Sequence, residues 1–569
     1  QFDRTFDEQL WQSSLLPVLN TLFIKYDEGR STEGQALYTD IQNKIDNLVK
    51  ALTEIENNAV QMERIFTSLL KKKFTDLMEH EPDQQRIMQE IAVLLVKYTI
   101  NEEIIRAKAH IRALQREIAE NQAPGKRIDF LCQEINREIN REVYLNRLIV
   151  RKHNGFIKVI TGIRRCGKSY LLNTLFYKHL LSEGVGESHI IRFAFDTAED
   201  LLKIGEDPIV LDNEKEERKV DPSRFITWLM PQIRGEGMYY LLLDEVQKLG
   251  AFESVLNGFL RKQNVDVYVT GSNSKFLSKD ILTEFEGRGD EVHVLPLSFS
   301  EYYAFKEGDK SEAYDDYSVY GGFPAVALIC TEEQKSNYLI SQMKNVYLRD
   351  IVARYSVQDE STLGEVIDVI ASGISTLTNP RKIAATMNSV HGTNISDATV
   401  DKYITYAEEA FMLSRVKRYN VKGRKYIGTP YKIYFEDLGL RNARLSFRQI
   451  EETHIMENII YNELRYRGYQ VDVGTVESRE KDANGKEIRV QREIDFIATL
   501  GSKKYYIQSA YAIPDKEKYE QECKSFERTM DSFKKIIIVE RSMKPRYDEN
   551  GYLMMGVKEF LLDGNSLLI

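Results

Sequence analysis

Eight residues, Gly162-Ile163-Arg164-Arg165-Cys166-Gly167-Lys168-Ser169, constrain this chain more than any other stretch. They follow an apolar run, Phe156 to Thr161, and lead into a helical pattern from Tyr170 to Phe176. This is the spacing G-x-x-x-x-G-K-S between a strand and a helix. Glycine lets the backbone curl so that its N–H groups face a phosphate chain, and the helix N-terminus adds partial positive charge at the same spot. Gly162, Arg165, Gly167, Lys168, Ser169 and Tyr170 are therefore the candidate nucleotide-binding residues. Lys168 is expected to reach the β- and γ-phosphates of ATP, and Ser169 to hold Mg2+. A second run, Met238 to Leu243, reads as a buried strand ending in Asp244-Glu245. Asp244 is the expected magnesium-binding acid and Glu245 the group that polarises an attacking water. A third strand, Val265 to Thr270, leads to Gly271-Ser272-Asn273-Ser274. Asn273 is the candidate sensor of the γ-phosphate, with Ser272 the alternative.

At 569 residues the chain is too long for one core, and three to five domains are expected. Charged residues at 29% and hydrophobic ones at 42% suit a globular protein rather than disorder. A net charge of −9 excludes a global basic field, although not a local basic patch. Cys132, Cys166, Cys330 and Cys523 lack metal-ligand spacing and read as reduced thiols of a cytoplasmic protein. Cys166, inside the phosphate loop, is a candidate oxidation handle or simply a small side chain. No apolar run is long enough to cross a bilayer, so no membrane partner is expected. The chain begins at Gln1 rather than Met, so its natural start is expected upstream.

Residues 1–140 read as an all-α bundle, with Ile41, Ile45, Leu48, Leu52 and Ile55 at helical spacing. Near its end Ile135-Asn136-Arg137-Glu138 is followed at once by Ile139-Asn140-Arg141-Glu142. The second copy opens the next domain, and a junction at a short repeat suggests a fusion of two genes. Residues 141–300 alternate strand and helix, as a parallel sheet covered by helices requires. Residues 301–355 are helical and Tyr-rich and read as a lid. Residues 356–435 read as a winged-helix module, in which Ser396 caps a helix. Its hairpin, Arg415 through Tyr434, carries Lys417, Arg418, Lys422, Arg424, Lys425 and Lys432, which suits DNA or RNA backbone contact. Residues 436–569 form a last α/β domain.

Two family resemblances follow from these motifs. The stretches Arg86 to Glu90, Asn101 to His110 and Gly125 to Asn140 resemble the C-terminal helical half of the YicC/YloC-type endoribonucleases. That resemblance implies a divalent-metal-dependent, RNA-cleaving, oligomeric protein. It makes Glu102, Glu103, Arg106, His110, Glu134, Arg137 and Glu138 candidate ribonuclease residues. The phosphate loop, Leu243 to Gln247, Thr270 to Ser274, Gly287-Arg288-Gly289 and Tyr320 to Pro324 resemble prokaryotic AAA+-type P-loop ATPases with a C-terminal nuclease-like domain. It implies that Arg288 meets the γ-phosphate, in cis or from a neighbouring copy in a homo-oligomer. It also implies a restriction-endonuclease-like fold over 436–569, with Glu457, Asp495 and Gln508 at metal-site positions. A working site would carry an acid and a lysine two residues apart where Gln508 and Ala510 stand, so the domain reads as a degenerate nuclease used for binding. The expectation is Mg2+-dependent ATP hydrolysis coupled to rearrangement of the C-terminal modules. The alternatives are a metal-dependent nuclease, at either end of the chain, and a nucleotide-gated binding module without turnover.

Overall fold

The computed structural model describes residues 139–207, 219–271, 287–306, 308–390, 392–481, 487–529 and 531–569, together with residues 42, 44–47, 49–51, 53 and 111. Two compact units divide between Glu138 and Ile139, which is between the two copies of the Ile-Asn-Arg-Glu repeat. In the first unit the described residues are helical, and Ile45 and Ile111 are buried. The candidates Glu102, Glu103, Arg106, His110, Glu134, Arg137 and Glu138 lie outside the described residues, as do Ser272 and Asn273.

In the second unit five described strands form one sheet. They are β1 (Ile157–Thr161), β2 (Ile190–Ala194), β3 (Tyr239–Asp244), β4 (Val265–Thr270) and β5 (Gly289–His293). All pair in parallel, in the order β2-β3-β4-β1-β5. β1, β3 and β4 are buried at every position, because helices cover both faces. Ile160, Leu242 and Tyr268 face Leu172 and Phe176 of the helix after the phosphate loop. Val159, Leu241 and Val267 face Phe225, Leu229 and Leu256 on the opposite side. Since β1 lies between β4 and β5, the loop after it opens at the carboxyl edge where the strand order reverses, the usual ligand crevice of such sheets.

Two charges sit inside this sheet. Lys158 on β1 is fully buried, and its Nζ pairs with Asp266 on β4, which also accepts from Tyr268 Oη at 3.1 Å and His153 N at 3.1 Å. Burial lowers the Lys158 pKa, and Asp266 opposes that. Asp266→Ala leaves an unpaired ammonium in the core and is expected to cost about 3–5 kcal/mol. Urea unfolding monitored by circular dichroism reads this directly; a loss below about 1 kcal/mol means that Lys158 finds water.

The second sheet contains eight described strands: β6 (Leu413–Asn420), β7 (Lys425–Phe435), β8 (Gln470–Lys481), β9 (Glu487–Leu500), β10 (Lys503–Ala510), β11 (Lys534–Val539), β12 (Arg546–Tyr547) and β13 (Leu553–Gly556). Their order is β12-β13-β11-β10-β9-β8-β6-β7. The hairpin β6–β7 is therefore not confined to a module ending at 435: β6 pairs in parallel with β8, through Arg418 to Asn420 against Val473 to Thr475. The boundary expected at 435 falls within a continuous sheet. One apolar cluster also runs from Leu172 through Tyr302, Leu339, Ile367 and Tyr434 to Ile507. Before the hairpin come helices Glu360–Ser372, Pro380–Val390 and Asp397–Glu409, the last capped by Ser396 Oγ accepting from Thr399 N at 3.1 Å.

Several hairpin cations are already partnered. Arg415 pairs with Glu408 and Asp401, Arg418 donates to Pro430 O at 2.9 Å, and Lys432 is buried among acids. The exposed cations of the hairpin are Lys417, Lys422, Arg424 and Lys425.

Candidate nucleotide site

The loop from Gly162 to Ser169 owes its shape to positive φ at Gly162 (137°), Arg165 (67°) and Gly167 (100°). A Cβ on Gly162 would lie 2.1 Å from Val294 O, so glycine alone fits against the segment that follows β5. The loop is fastened from beneath by Arg141, which is 2% exposed. Its guanidinium donates to Cys166 O at 2.9 Å and Leu295 O at 2.7 Å, and its Nε lies 3.2 Å from Glu301. From the lid region Tyr347 Oη donates to Arg164 O at 2.6 Å. Arg165 hydrogen-bonds Tyr338 of the helix Glu332–Gln342, giving this nucleotide-binding candidate a partner in the lid region. Cys166 is fully buried beside Val294 O at 3.2 Å, and burial pushes its thiol pKa up. It is a packing residue and not an accessible redox handle.

Lys168 opens the helix that follows and is 5% exposed. Its Nζ donates to Gly162 O and Ile163 O, each at 3.0 Å. Tyr170 ends the same first turn. The helix then passes through a π-helical stretch, Leu171–Phe176, on which Asn173 donates to Asp244 Oδ2 at 3.2 Å. Asp244, at the end of β3, also hydrogen-bonds Thr270 and Ser169. Burial raises its pKa, and the Thr270 and Ser169 bonds oppose the rise. Glu245 adopts a left-handed φ of 52°, unusual for a residue with a side chain, and its N–H donates to Thr270 Oγ1 at 3.0 Å. Gln247 donates to the Glu245 carboxylate.

Phosphate loop, Lys168, Ser169, Asp244 and Glu245 thus meet at the carboxyl edge of β1, β3 and β4. The oxygens of Ser169 and Asp244 suit a hard cation that keeps most of its shell for water and phosphate, as Mg2+ does. Among the described residues no three His, Cys, Asp or Glu side chains are disposed to hold a metal by themselves. Thr270, the last residue of β4, bridges Asp244 and Glu245, whereas the sequence pattern points to the polar groups beyond it, Ser272 and Asn273.

Arg288 stands elsewhere. It is exposed and precedes β5, where its carbonyl accepts from Ile157 N at 2.9 Å. That is the amino edge of the sheet, the length of β1 (about 16 Å) from the phosphate loop. Arg288 therefore cannot meet a phosphate bound in its own subunit. At the carboxyl edge the residue beside β1 is His293, whose Nδ1 lies 3.1 Å from Thr161 Oγ1 and whose Nε2 lies 3.0 Å from Glu436 Oε1. Glu436 directly follows β7, so a polar chain of three residues joins the strand before the phosphate loop to the second sheet. A lone histidine in an apolar context offered no sequence signal for this.

In the second sheet Glu457 and Asp495 come together, but Gln508 does not join them. Gln508 Nε2 donates to Glu522 at 3.1 Å, while Asp495 Oδ2 accepts from Ser509 N at 2.9 Å. Burial pushes Glu457 up to about 7.

Comparison with known proteins agrees with the P-loop sheet. Residues 154–303 match the family described as AAA domain, residues 311–451 a domain of unknown function, and residues 55–143 the family described as Endoribonuclease YicC-like, C-terminal. An uncharacterized protein of Haemophilus influenzae is 33% identical over 406 residues, which is 70% of this chain and 93% of that protein. The chain belongs to that AAA-domain family. A second relative of this AAA-domain chain, an uncharacterized protein of Methanocaldococcus jannaschii, is 26% identical over 415 residues, 70% of this chain and 82% of that protein. A probable endoribonuclease YicC of Clostridioides difficile is 36% identical over 136 residues, 24% of this chain and 46% of that protein, so the chain spans less than half of that relative. No helix among the described residues is long and apolar enough to cross a membrane.

Proposed function

We propose that the chain is a Mg2+-dependent ATPase whose turnover rearranges its C-terminal nucleic-acid- or partner-binding modules. The observation that carries this reading is the meeting of Lys168, Ser169, Asp244 and Glu245 at one sheet edge. In the mechanism Lys168 leaves the carbonyls of Gly162 and Ile163 for the terminal phosphates. Ser169 and Asp244 would hold Mg2+, which would supply neutralising charge for the phosphates. Asn173 and Thr270 keep Asp244 aimed, and Glu245, fixed through Thr270 and Gln247, orients the attacking water.

Two contacts support the coupling. Tyr347 ties the loop to the lid region, and His293 ties β1 and β5 to Glu436 at the end of β7. Movement of the loop around a phosphate would be felt at both. The three helices and the hairpin β6–β7, with a bridge between Thr378 and Tyr431, have the order of a winged helix, and the exposed Lys417, Lys422, Arg424 and Lys425 suit a phosphate backbone. Arg288, exposed at the amino edge, lies too far from the phosphate loop of its own chain to serve it.

Glu245→Gln is expected to lower phosphate release by about 10²-fold or more while ATP still binds. Malachite-green assays of wild type and Glu245→Gln, each with single-stranded RNA or duplex DNA, test this. Stimulation by one polymer identifies the partner class; equal rates in wild type and variant sink the reading. A second reading, RNA cleavage by the N-terminal unit, is favoured by the match of residues 55–143. A labelled RNA with Mn2+ and no ATP tests it, with Glu102→Gln/Glu103→Gln as the control.

A further inference from the structure

The strongest feature outside the nucleotide site is the acid cluster of the second sheet. Lys432 on β7 points into it with its side chain 4% exposed. Its Nζ lies 2.8 Å from Glu457 Oε1, 2.7 Å from Glu493 Oε1 and 3.4 Å from Asp495 Oδ1. Tyr434, two residues on along β7, donates to the same Glu457 oxygen at 2.7 Å. The remaining Asp495 oxygen accepts from Ser509 N at 2.9 Å. These three carboxylates come from the helix Glu452–Tyr466 and from β9. Lysine and carboxylates thus reach the cluster from different elements.

The strand order makes this meeting informative. β6 and β8 lie between β7 and β9, so in a flat sheet the two strands would be about 14 Å apart. That is further than a lysine and an aspartate side chain together span, so the sheet curls to bring them together. Phe435 N donates to Asn458 Oδ1 at 2.8 Å and Asn458 Nδ2 donates back to Phe435 O at 2.8 Å, which holds β7 against the helix that carries Glu457. The ammonium is therefore held in position by several elements and is not a surface lysine that happens to lie nearby.

A divalent cation shared by these acids would have to stand between them, and with Lys432 there they are not disposed to hold one. Lys432 Nζ lies within hydrogen-bond or ion-pair distance of all three. The acids do not fit a metal while it is there. We propose that Lys432 is the built-in cation of this cluster. It takes the place a divalent metal would need, so the last domain holds no metal there. The cluster instead clamps the hairpin β6–β7 to the C-terminal sheet. This inference is independent of the ATPase reading. It implies that hairpin and last domain respond to the His293–Glu436 link as one body, because β7 carries both Lys432 and the segment leading to Glu436.

Mn2+ binding to the nucleotide-free full chain, followed by the electron paramagnetic resonance of free Mn2+, tests it. Wild type and Asp495→Asn should bind the same number of ions. Lys432→Ala should bind one more per chain, and Lys432→Ala/Asp495→Asn should lose it again. Lys432→Gln, which is one atom shorter and uncharged but still able to hydrogen-bond, serves if the alanine variant does not fold, and should likewise gain an ion. In Lys432→Gln, amide exchange across residues 413–435 should also rise. An ion lost in Asp495→Asn alone overturns the proposal, as does Mn2+-dependent DNA cleavage that Asp495→Asn abolishes. A folded lysine variant that gains no ion, or unchanged amide exchange, overturns it as well.

Discussion

Lys168→Ala should reduce ATP turnover by about 10²- to 10³-fold, the usual loss when one preorganised electrostatic group is removed from a developing charge. Lys168 is the buried cation of the phosphate loop, and its two hydrogen bonds, to Gly162 O and Ile163 O, are ones that a phosphate can replace. The exchange needs no new pocket, because the ammonium already stands between loop and helix N-terminus. Stability without nucleotide should change little, since both acceptors are loop carbonyls. The rise in melting temperature produced by ATP and Mg2+ should disappear, because it depends on ligand affinity for the folded state. Differential scanning fluorimetry with and without ATP, beside phosphate release, separates the two effects. A variant that keeps both its ATP-induced shift and its turnover would rule out Lys168 as the phosphate contact.

Arg141→Ala should have the opposite signature, a loss of folding stability of about 3–5 kcal/mol without nucleotide. The guanidinium is buried and holds Cys166 O, Leu295 O and the Glu301 carboxylate. Its removal leaves Glu301 charged in a place where burial already raises its pKa. It also frees the underside of the phosphate loop, so the ATP requirement should rise along with the urea sensitivity. Arg141→Met/Glu301→Gln removes both charges and should recover much of the stability, since an unpaired buried ion costs more than a missing pair. Equal urea midpoints for Arg141→Ala and the double variant would show that Glu301 is not what the single change exposes.

The position of Arg141 also bears on the repeated Ile-Asn-Arg-Glu. The compact unit begins at Ile139, and the arginine of the second copy is locked beneath the phosphate loop. The corresponding Arg137 of the first copy belongs to the other unit. The repeat was legible in the sequence as a junction. Which copy serves the nucleotide site was decided by Cys166 and by Leu295, 154 residues away.

What could be read directly was local. The spacing of Gly162, Gly167, Lys168 and Ser169 determines a phosphate-binding turn, because backbone conformation depends on near neighbours and on the absence of a Cβ. The apolar runs of β1, β3 and β4 determine strands covered on both faces, and an acid pair at the end of such a strand must emerge at the carboxyl edge. Long-range order was not legible. Gly-Arg-Gly reads the same at either edge of a sheet, and only the parallel register of β1 with β5 puts Arg288 at the amino edge and His293 at the carboxyl edge. In the same way, the hairpin cations read as a phosphate-binding wing until the sheet order shows Arg418 and Lys432 turned inward. Sequence by itself determined the turn, the strands and the identity of the catalytic candidates, since these rest on steric and hydrogen-bonding rules within a few residues. Tertiary structure alone decided which charges meet: a buried charge must find its partner wherever the packing of distant strands presents one.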